Sequence, residues 1–544
     1  MRTRIALLLA SLLATALAVP SRAAATSFDY TLVKGLSQPS HGTRRDTALV
    51  PMRDGVKLYV EVVRPRTPGR FATILELSPY HGTAADRSGT RILPGPTEGT
   101  KHIGLAGYFA PRGYAVVFVD LRGTGKSEGC LDHMGKLDQQ DAYTIVEWAA
   151  KQPWSNGRVG MTGHSYVGST PQMAAAQNPP HLKTIVPSAG LAWMYHHEFQ
   201  QGVPYNLQWA GPLFAYEQLA VERYAGDSFG QNLAYAGCGM TSSAGTTGEA
   251  YASGAGTGWH RERDFRAGAT KSKIPVFAVH GIFDNAARIA ALDWFHARHR
   301  PGDKTWIGQW EHDPGGNRDE QWTAALHAWF DKHLQQRRVQ TGPPVEVFLN
   351  DDLVYAPSGT WPPKPARTLT LRALEDGDLG TAREERAEVS YVASPQTGAP
   401  NASLTFTSSP MKRDTVVVGL PTLTLVTSVT GGRVHLNATL YDVGPDGTEE
   451  MSQATWAIQP ELRNGVYAPS LVVPGEVMTM KLTGFAQAHR LPKGHRLRLV
   501  VASAHPDKVP TFAAGAVVTV YTGLEGTELS LPVVEGPLRR DVFF

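Results

Sequence analysis

The chain has 544 residues, enough for about three domains of ordinary size. With 42% hydrophobic and 19% charged residues it can bury a large core, which excludes a disordered chain. A net charge of +3 over this length offers no field for nucleic acid or an acidic membrane surface, and 55 glycines with 38 prolines signal many turns.

The N-terminal stretch MRTRIALLLASLLATALAVPSRAAATS places Arg2 and Arg4 before an apolar run from Ile5 to Val19, followed by Ala23-Ala24-Ala25. That is the pattern of a cleavable secretory signal over residues 1–25, with a mature chain starting near Thr26. The run is short for a membrane span and no later segment is apolar enough for one, so a secreted or periplasmic protein is expected. Export would permit a disulfide between the two cysteines, Cys130 and Cys238.

Strand-like apolar runs then alternate with helical patterns. VKLYVEVVRP (56–65), ATILELSP (72–79), YAVVFVDL (114–121), RVGMTG (158–163) and LKTIVPSA (182–189) read as strands. Between them LDQQDAYTIVEWAAKQ (137–152) has apolar residues at helical spacing. Continuous apolar strands joined by helices predict a mostly parallel sheet covered on both faces. Residues 190–268 break this rhythm, being rich in glycine and aromatics, and read as a cap inserted over the sheet. The pattern resumes at IPVFAVHG (274–281) and KTWIGQW (304–310). After Leu334 only short alternating runs divided by Gly, Pro, Asp and Asn remain, which predicts an all-β sandwich. The expected division is 26–189 and 269–341 for the α/β domain, 190–268 for the cap and 342–544 for the β domain.

Two stretches compete for a nucleophilic serine. GKSEG (125–129) spells G-x-S-x-G, whereas MTGHSYVGST (161–170) has Val167 where the glycine belongs and Gly168 one place late. A nucleophile elbow needs a strand that ends abruptly, a strained turn carrying the serine, and a helix that starts at once. Ser127 lies in a loop between a strand ending near Leu121 and a helix starting near Leu137. Ser165 has the strand before it and the helical pattern YVGSTPQMAAAQ after it, so Ser165 is the expected nucleophile. Pro171 is expected to disturb that helix after its first turn. A phosphate-binding reading of GTGKS fails because Asp120 stands where its first glycine must be.

A serine nucleophile requires a base and an orienting carboxylate, acid before histidine in this kind of sheet. Asp284 falls just past one strand end and His312 just past the next. Asp293 and His299 read as surface residues of the intervening helix, Asp303 as a turn residue and His280 as structural. His196, His197 and Glu198 lack a second ligand cluster and read as one face of a cap helix.

The stretches VPMRDGVKL (50–58), SPY (78–80), RGYAVVFVDLRGTGKSEG (112–129), EWAAKQPWSNGRVGMTGHSYVG (147–168), HGIFD (280–284) and IGQWEH (307–312) resemble the CocE/NonD serine hydrolases. That family includes cocaine esterase, the Xaa-Pro dipeptidyl-peptidases and the α-amino acid ester hydrolases. The resemblance implies an α/β-hydrolase domain, an inserted helical cap and a C-terminal jelly roll of galactose-binding-like type. It makes G-x-S-Y-x-G the family's own elbow, with Ser165 as nucleophile, Asp284 as acid and His312 as base. It also implies an oxyanion hole formed by Tyr80 and the backbone N–H of Tyr166, with no metal or organic cofactor. The expected activity is hydrolysis of ester or amide bonds in a small-molecule or peptide substrate. An Xaa-Pro dipeptidyl-peptidase is the alternative, and a secreted carbohydrate-binding protein the non-enzymatic one. Val167 departs from the ester hydrolases, which carry an acidic residue after the elbow tyrosine. Glu198, Glu217 and Glu222 are the insertion's candidates for holding a substrate ammonium.

Overall fold

The computed structural model describes residues 26–80, 104–206, 253–288 and 292–541, except 314, 316, 317, 351 and 358. The residues 1–25 read as a signal lie outside the described residues.

An eleven-stranded sheet forms the first layer system. Its strands in chain order are β1 (Thr43–Pro51), β2 (Lys57–Pro65), β3 (Phe71–Ser78), β4 (Tyr114–Asp120), β5 (Ser155–His164) and β6 (Leu182–Ser188). A two-residue pair, β7 (Phe199–Gln200) and β8 (Val203–Pro204), belongs to the insertion. β9 (Phe277–Gly281), β10 (Lys304–Gly308), β11 (Val345–Phe348) and β12 (Leu353–Tyr355) then complete the sheet with the C-terminal strand Leu538–Arg540. The centre, β4-β3-β5-β6-β9-β10-β11, is parallel throughout. Val116, Val117, Ile74, Leu75, Val159, Met161, Val279 and Ile307 are all buried there, as strands covered by helices on both faces must be.

β1 escapes an apolar-run reading because it is an antiparallel edge strand with mostly half-exposed or exposed side chains. The second region is a β-sandwich of the jelly-roll kind, a hydrogen-bonded network of thirteen strands around its own core of Leu423, Trp456, Leu499 and Val520.

The expected border at 342 shifts. β11, β12 and Leu538–Arg540 all pair in the hydrolase sheet, so both ends of the C-terminal region are strands of that sheet. Arg318 clamps the return with a 2.7 Å contact to Asp541.

Candidate active site

At the end of β5 the chain reverses within one residue. Ser165 has φ 63° and ψ −130°, a strained conformation, and the helix Tyr166–Gln177 begins immediately after it. The Ser165 N–H donates to the Ser188 carbonyl at 3.0 Å, tying the turn to the end of β6. Glycine spacing follows from crowding. A Cβ on Gly163 would stand 2.3 Å from the Val167 carbonyl oxygen, and one on Gly168 only 2.1 Å from that of Ser188. Gly168 is the position that meets the neighbouring strand, while Val167 packs fully into the core. The late glycine is therefore the one this elbow needs.

Pro171 does not disturb the helix, which runs unbroken to Gln177. The carbonyl of Val167, which loses its usual N–H partner to the proline ring, accepts the Thr170 hydroxyl at 3.0 Å instead.

Asp284 and His312 are brought together from the ends of β9 and β10. His312 Nδ1 lies 2.8 Å from Asp284 Oδ2, and the N–H groups of Ala286 and Ala287 donate to Oδ1 at 2.9 and 2.8 Å. Burial alone would raise this carboxyl. The His312 hydrogen bond, the neighbouring His280 and the Ala287 N–H outweigh it and hold the pKa at about 2. An ionised Asp284 keeps the ring proton on Nδ1, leaving Nε2 as the basic nitrogen. His280 is fully buried and contacts the Ala287 carbonyl through Nε2, in keeping with a structural role.

The two loops are laced to each other. Ile282 N–H donates to Gly308 O at 2.8 Å and Phe283 N–H to Trp310 O at 3.0 Å. A Cβ on Gly281 would sit 2.2 Å from the Trp310 carbonyl oxygen, so the acid's strand must end in glycine to let the histidine's loop approach.

Tyr80 is buried and lies just past β3, whose register against β5 (Leu75 opposite Met161) brings its exit beside that of the elbow. Its own N–H donates to Ser78 Oγ at 3.0 Å. Tyr166 occupies the first helical position, where backbone N–H groups have no intrahelical acceptor.

Two neighbours carried no recognisable sequence signal. His164 stacks obliquely on His312 with ring centroids 4.5 Å apart, and burial holds its pKa down at about 3, so its ring stays neutral. Asp138, on helix Lys136–Ala150, lies under the elbow tyrosine, 3.4 Å from its hydroxyl. Burial and the charge of Asp132 push Asp138 up to about 8.

Ser127 is buried. Its hydroxyl donates to Asp120 O at 2.7 Å and accepts the Tyr59 N–H at 2.8 Å. His299 is not a surface residue, since its ring packs on Phe295 at 5.0 Å and burial lowers its pKa to about 4. Asp293 is half exposed, and Asp303 accepts Val276 N–H at 2.9 Å from its turn. Glu198 is buried against His260 Nε2 at 3.1 Å, while Glu217 and Glu222 lie outside the described residues. Trp193, Tyr195 and Phe199 stack on one another at 4.8 and 5.1 Å as the cap's own core. Cys130 is disulfide-bonded, and Cys238, the chain's other cysteine, lies outside the described residues. Among the described residues no cluster of three or more His, Cys, Asp or Glu could hold a metal, and no helix is long and apolar enough to cross a membrane. A cavity of about 480 Å³ between the cap pair, helix Asp293–His296 and the sandwich is lined by none of Tyr80, Ser165, Asp284 and His312.

An α/β-hydrolase sheet with an acid–histidine pair beside a strained serine elbow defines a serine hydrolase. Residues 54–314 match the family model for X-Pro dipeptidyl-peptidase (S15 family), and 337–527 match that for the X-Pro dipeptidyl-peptidase C-terminal non-catalytic domain. A Streptomyces avermitilis protein provisionally named an Xaa-Pro dipeptidyl-peptidase is 27% identical over 90% of this chain and 83% of its own. The cocaine esterase of a Rhodococcus species is 37% identical over 27% of this chain and 24% of its own. The crystal structure of a CocE/NonD family hydrolase from Staphylococcus aureus has the same fold, with TM-score 0.70 and 20% identity over 90% of this chain and 94% of that one. With both models matched in order along its length, the chain belongs to the S15 family of serine hydrolases.

Proposed function

We propose that this serine hydrolase is exported and cleaves carboxylic esters with short or aromatic acyl groups, through an acyl-enzyme on Ser165. The observation that carries the reading is the 2.8 Å Asp284–His312 pair, whose imidazole packs on the residue preceding the elbow serine. In this mechanism His312 Nε2 takes the Ser165 hydroxyl proton as Oγ bonds to the substrate carbonyl carbon. Tyr80 O–H and Tyr166 N–H donate to the oxyanion. His312 then returns the proton to the leaving alcohol, and water repeats the sequence to free the acid.

Peptidase action on Xaa-Pro substrates is the second reading, favoured by the S15 family match. It requires carboxylates for a free N-terminal ammonium, whose desolvation without a partner costs several kcal/mol. Val167, after the elbow tyrosine, is apolar and turned into the core, and Glu198 is engaged by His260. Both features favour the ester. Export is supported by the pattern of residues 1–25 and agrees with a disulfide at Cys130.

The deciding measurement is kcat/KM for p-nitrophenyl butyrate beside Ala-Pro-p-nitroanilide, the latter also with its amine acetylated. The ester is expected to be the better substrate. A preference for the free-amine peptide that vanishes on acetylation overturns the esterase reading in favour of the peptidase. Failure of an active-site serine reagent to label the protein would return it to the binding-protein class.

A further inference from the structure

Gln309 stands between the end of β10 and His312, and it reaches into the sandwich. Its side-chain amide donates to the Ala488 carbonyl at 2.6 Å and to His489 Nδ1 at 3.2 Å. A ring that accepts at Nδ1 carries its hydrogen on Nε2, and that atom faces Asp442 Oδ2 at 2.9 Å. The other carboxylate oxygen of Asp442 accepts from His495 Nδ1 at 2.8 Å. His489 comes from strand Gln487–Leu491, Asp442 from Leu436–Val443, and His495 precedes Arg496–Ala502, so three segments of the sandwich converge on one side chain. His489 and Asp442 are buried.

At the receiving end, Gln309 lies between Gly308 and Trp310, the two residues whose carbonyls accept the N–H groups of Ile282 and Phe283. Phe283 immediately precedes Asp284. Whatever fixes Gln309 therefore fixes the loops of both partners in the acid–histidine pair. An amide with both hydrogens engaged is held in a single orientation.

We propose that His489 of the sandwich is a positioning residue for the reaction: through Gln309 it sets the loop that presents His312 to Ser165. This rests on the triad reading above. It gives the C-terminal region a part in turnover beyond docking, because displacement of a reacting group by about 1 Å costs on the order of 10²-fold in rate.

Two substitutions divide the histidine's two contacts. In H489Q the glutamine amide can still donate to Asp442 from the place of Nε2, but nothing stands in for Nδ1, and Gln309 keeps only its bond to the Ala488 carbonyl. In H489N the amide oxygen can stand in for Nδ1, but the bond to Asp442 is lost. Measured on the full chain with p-nitrophenyl butyrate, H489Q is expected to lower kcat about 10- to 100-fold, leaving KM and the thermal midpoint close to the parent's. H489N is expected to recover much of that kcat while melting earlier. The proposal is overturned if H489Q keeps the parent's kcat, if it loses stability together with kcat, or if kcat follows the thermal midpoint in both variants. Fluorophosphonate labelling of Ser165→Ala in parallel keeps the two readings apart. Labelling that persists there sinks the triad, whereas a dead Ser165→Ala beside a fully active H489Q sinks only the role of His489.

Discussion

The loop around Ser127 and the elbow around Ser165 are both glycine–serine stretches, yet their surroundings use the hydroxyl in opposite ways. Ser127 is folded under its loop, with Asp120 O occupying its donor capacity and Tyr59 N–H its acceptor capacity. Ser165 is partly exposed, held in a strained conformation, and followed at once by a helix. A loop can satisfy a hydroxyl from its own backbone. A strand that ends in a forced turn presents it outward, and neighbouring strands bring the partners. The literal motif sits where the hydroxyl is already used by its own loop.

The largest expected effect breaks the comparison if it fails. Ser165→Ala should cut kcat by about 10⁴–10⁶-fold and abolish fluorophosphonate labelling, with little change in thermal midpoint because the substitution removes no core packing. Ser127→Ala should leave kcat near the parent's while costing about 1–3 kcal/mol, since the part-buried Tyr59 N–H and the buried Asp120 carbonyl lose their partner. Kinetics and denaturant melts of the two variants side by side decide it, and a reversed pattern makes Ser127 the nucleophile.

Asp284→Asn should lower kcat by about 10⁴-fold with the fold retained, because an amide in place of the ionised carboxylate no longer holds the His312 tautomer. Steady-state kinetics and circular dichroism test this together. A small loss of kcat would mean that the 2.8 Å contact is only structural.

Tyr80→Phe sharpens the contrast from the oxyanion side. The hydroxyl meets charge that develops only in the transition state, so kcat should fall about 10²–10³-fold with a smaller change in KM. An unchanged kcat would make Tyr80 a packed residue at a strand end.

Asp138→Asn probes what lies beneath the elbow and should have the smallest effect on kcat. The carboxyl is pushed up to about 8 by burial, well above its unfolded value, so the folded state holds a proton that the unfolded chain releases as pH rises. The parent's stability is then drained by this group as pH rises from about 4 towards 8. The variant should gain on the parent as pH rises through that range. Urea melts at pH 5, 6.5 and 8 that show a constant gap would refute the buried, neutral acid.

Much of the site was legible in the primary structure because its parts sit at strand ends. Apolar runs at Phe277–Gly281 and Lys304–Gly308 mark where the chain must surface, and Asp284 and His312 follow directly. The elbow was legible for the same reason, as an abrupt change from strand to helix pattern. The supports were not. His164, Asp138 and His489 look like ordinary residues until the strands are placed side by side, and His299 reads as surface although it packs on Phe295.

Local chemistry, written residue by residue, was enough to give the parallel sheet, the β-rich tail, the turn at Ser165 and the placement of Asp284 and His312 past successive strands. Period, turn residues and abrupt changes of pattern are properties of a few consecutive side chains, and they survive without the fold. Pairings between distant segments are not. That Gly168 must be glycine depends on how closely Ser188 approaches. That Pro171 is harmless depends on one hydroxyl beside it. That the chain's end returns to the first sheet, and that a sandwich histidine reaches the loop of His312, depends on contacts between segments far apart in the chain. Such contacts form only when the whole core has closed, because their geometry is set by packing rather than by neighbours in the chain.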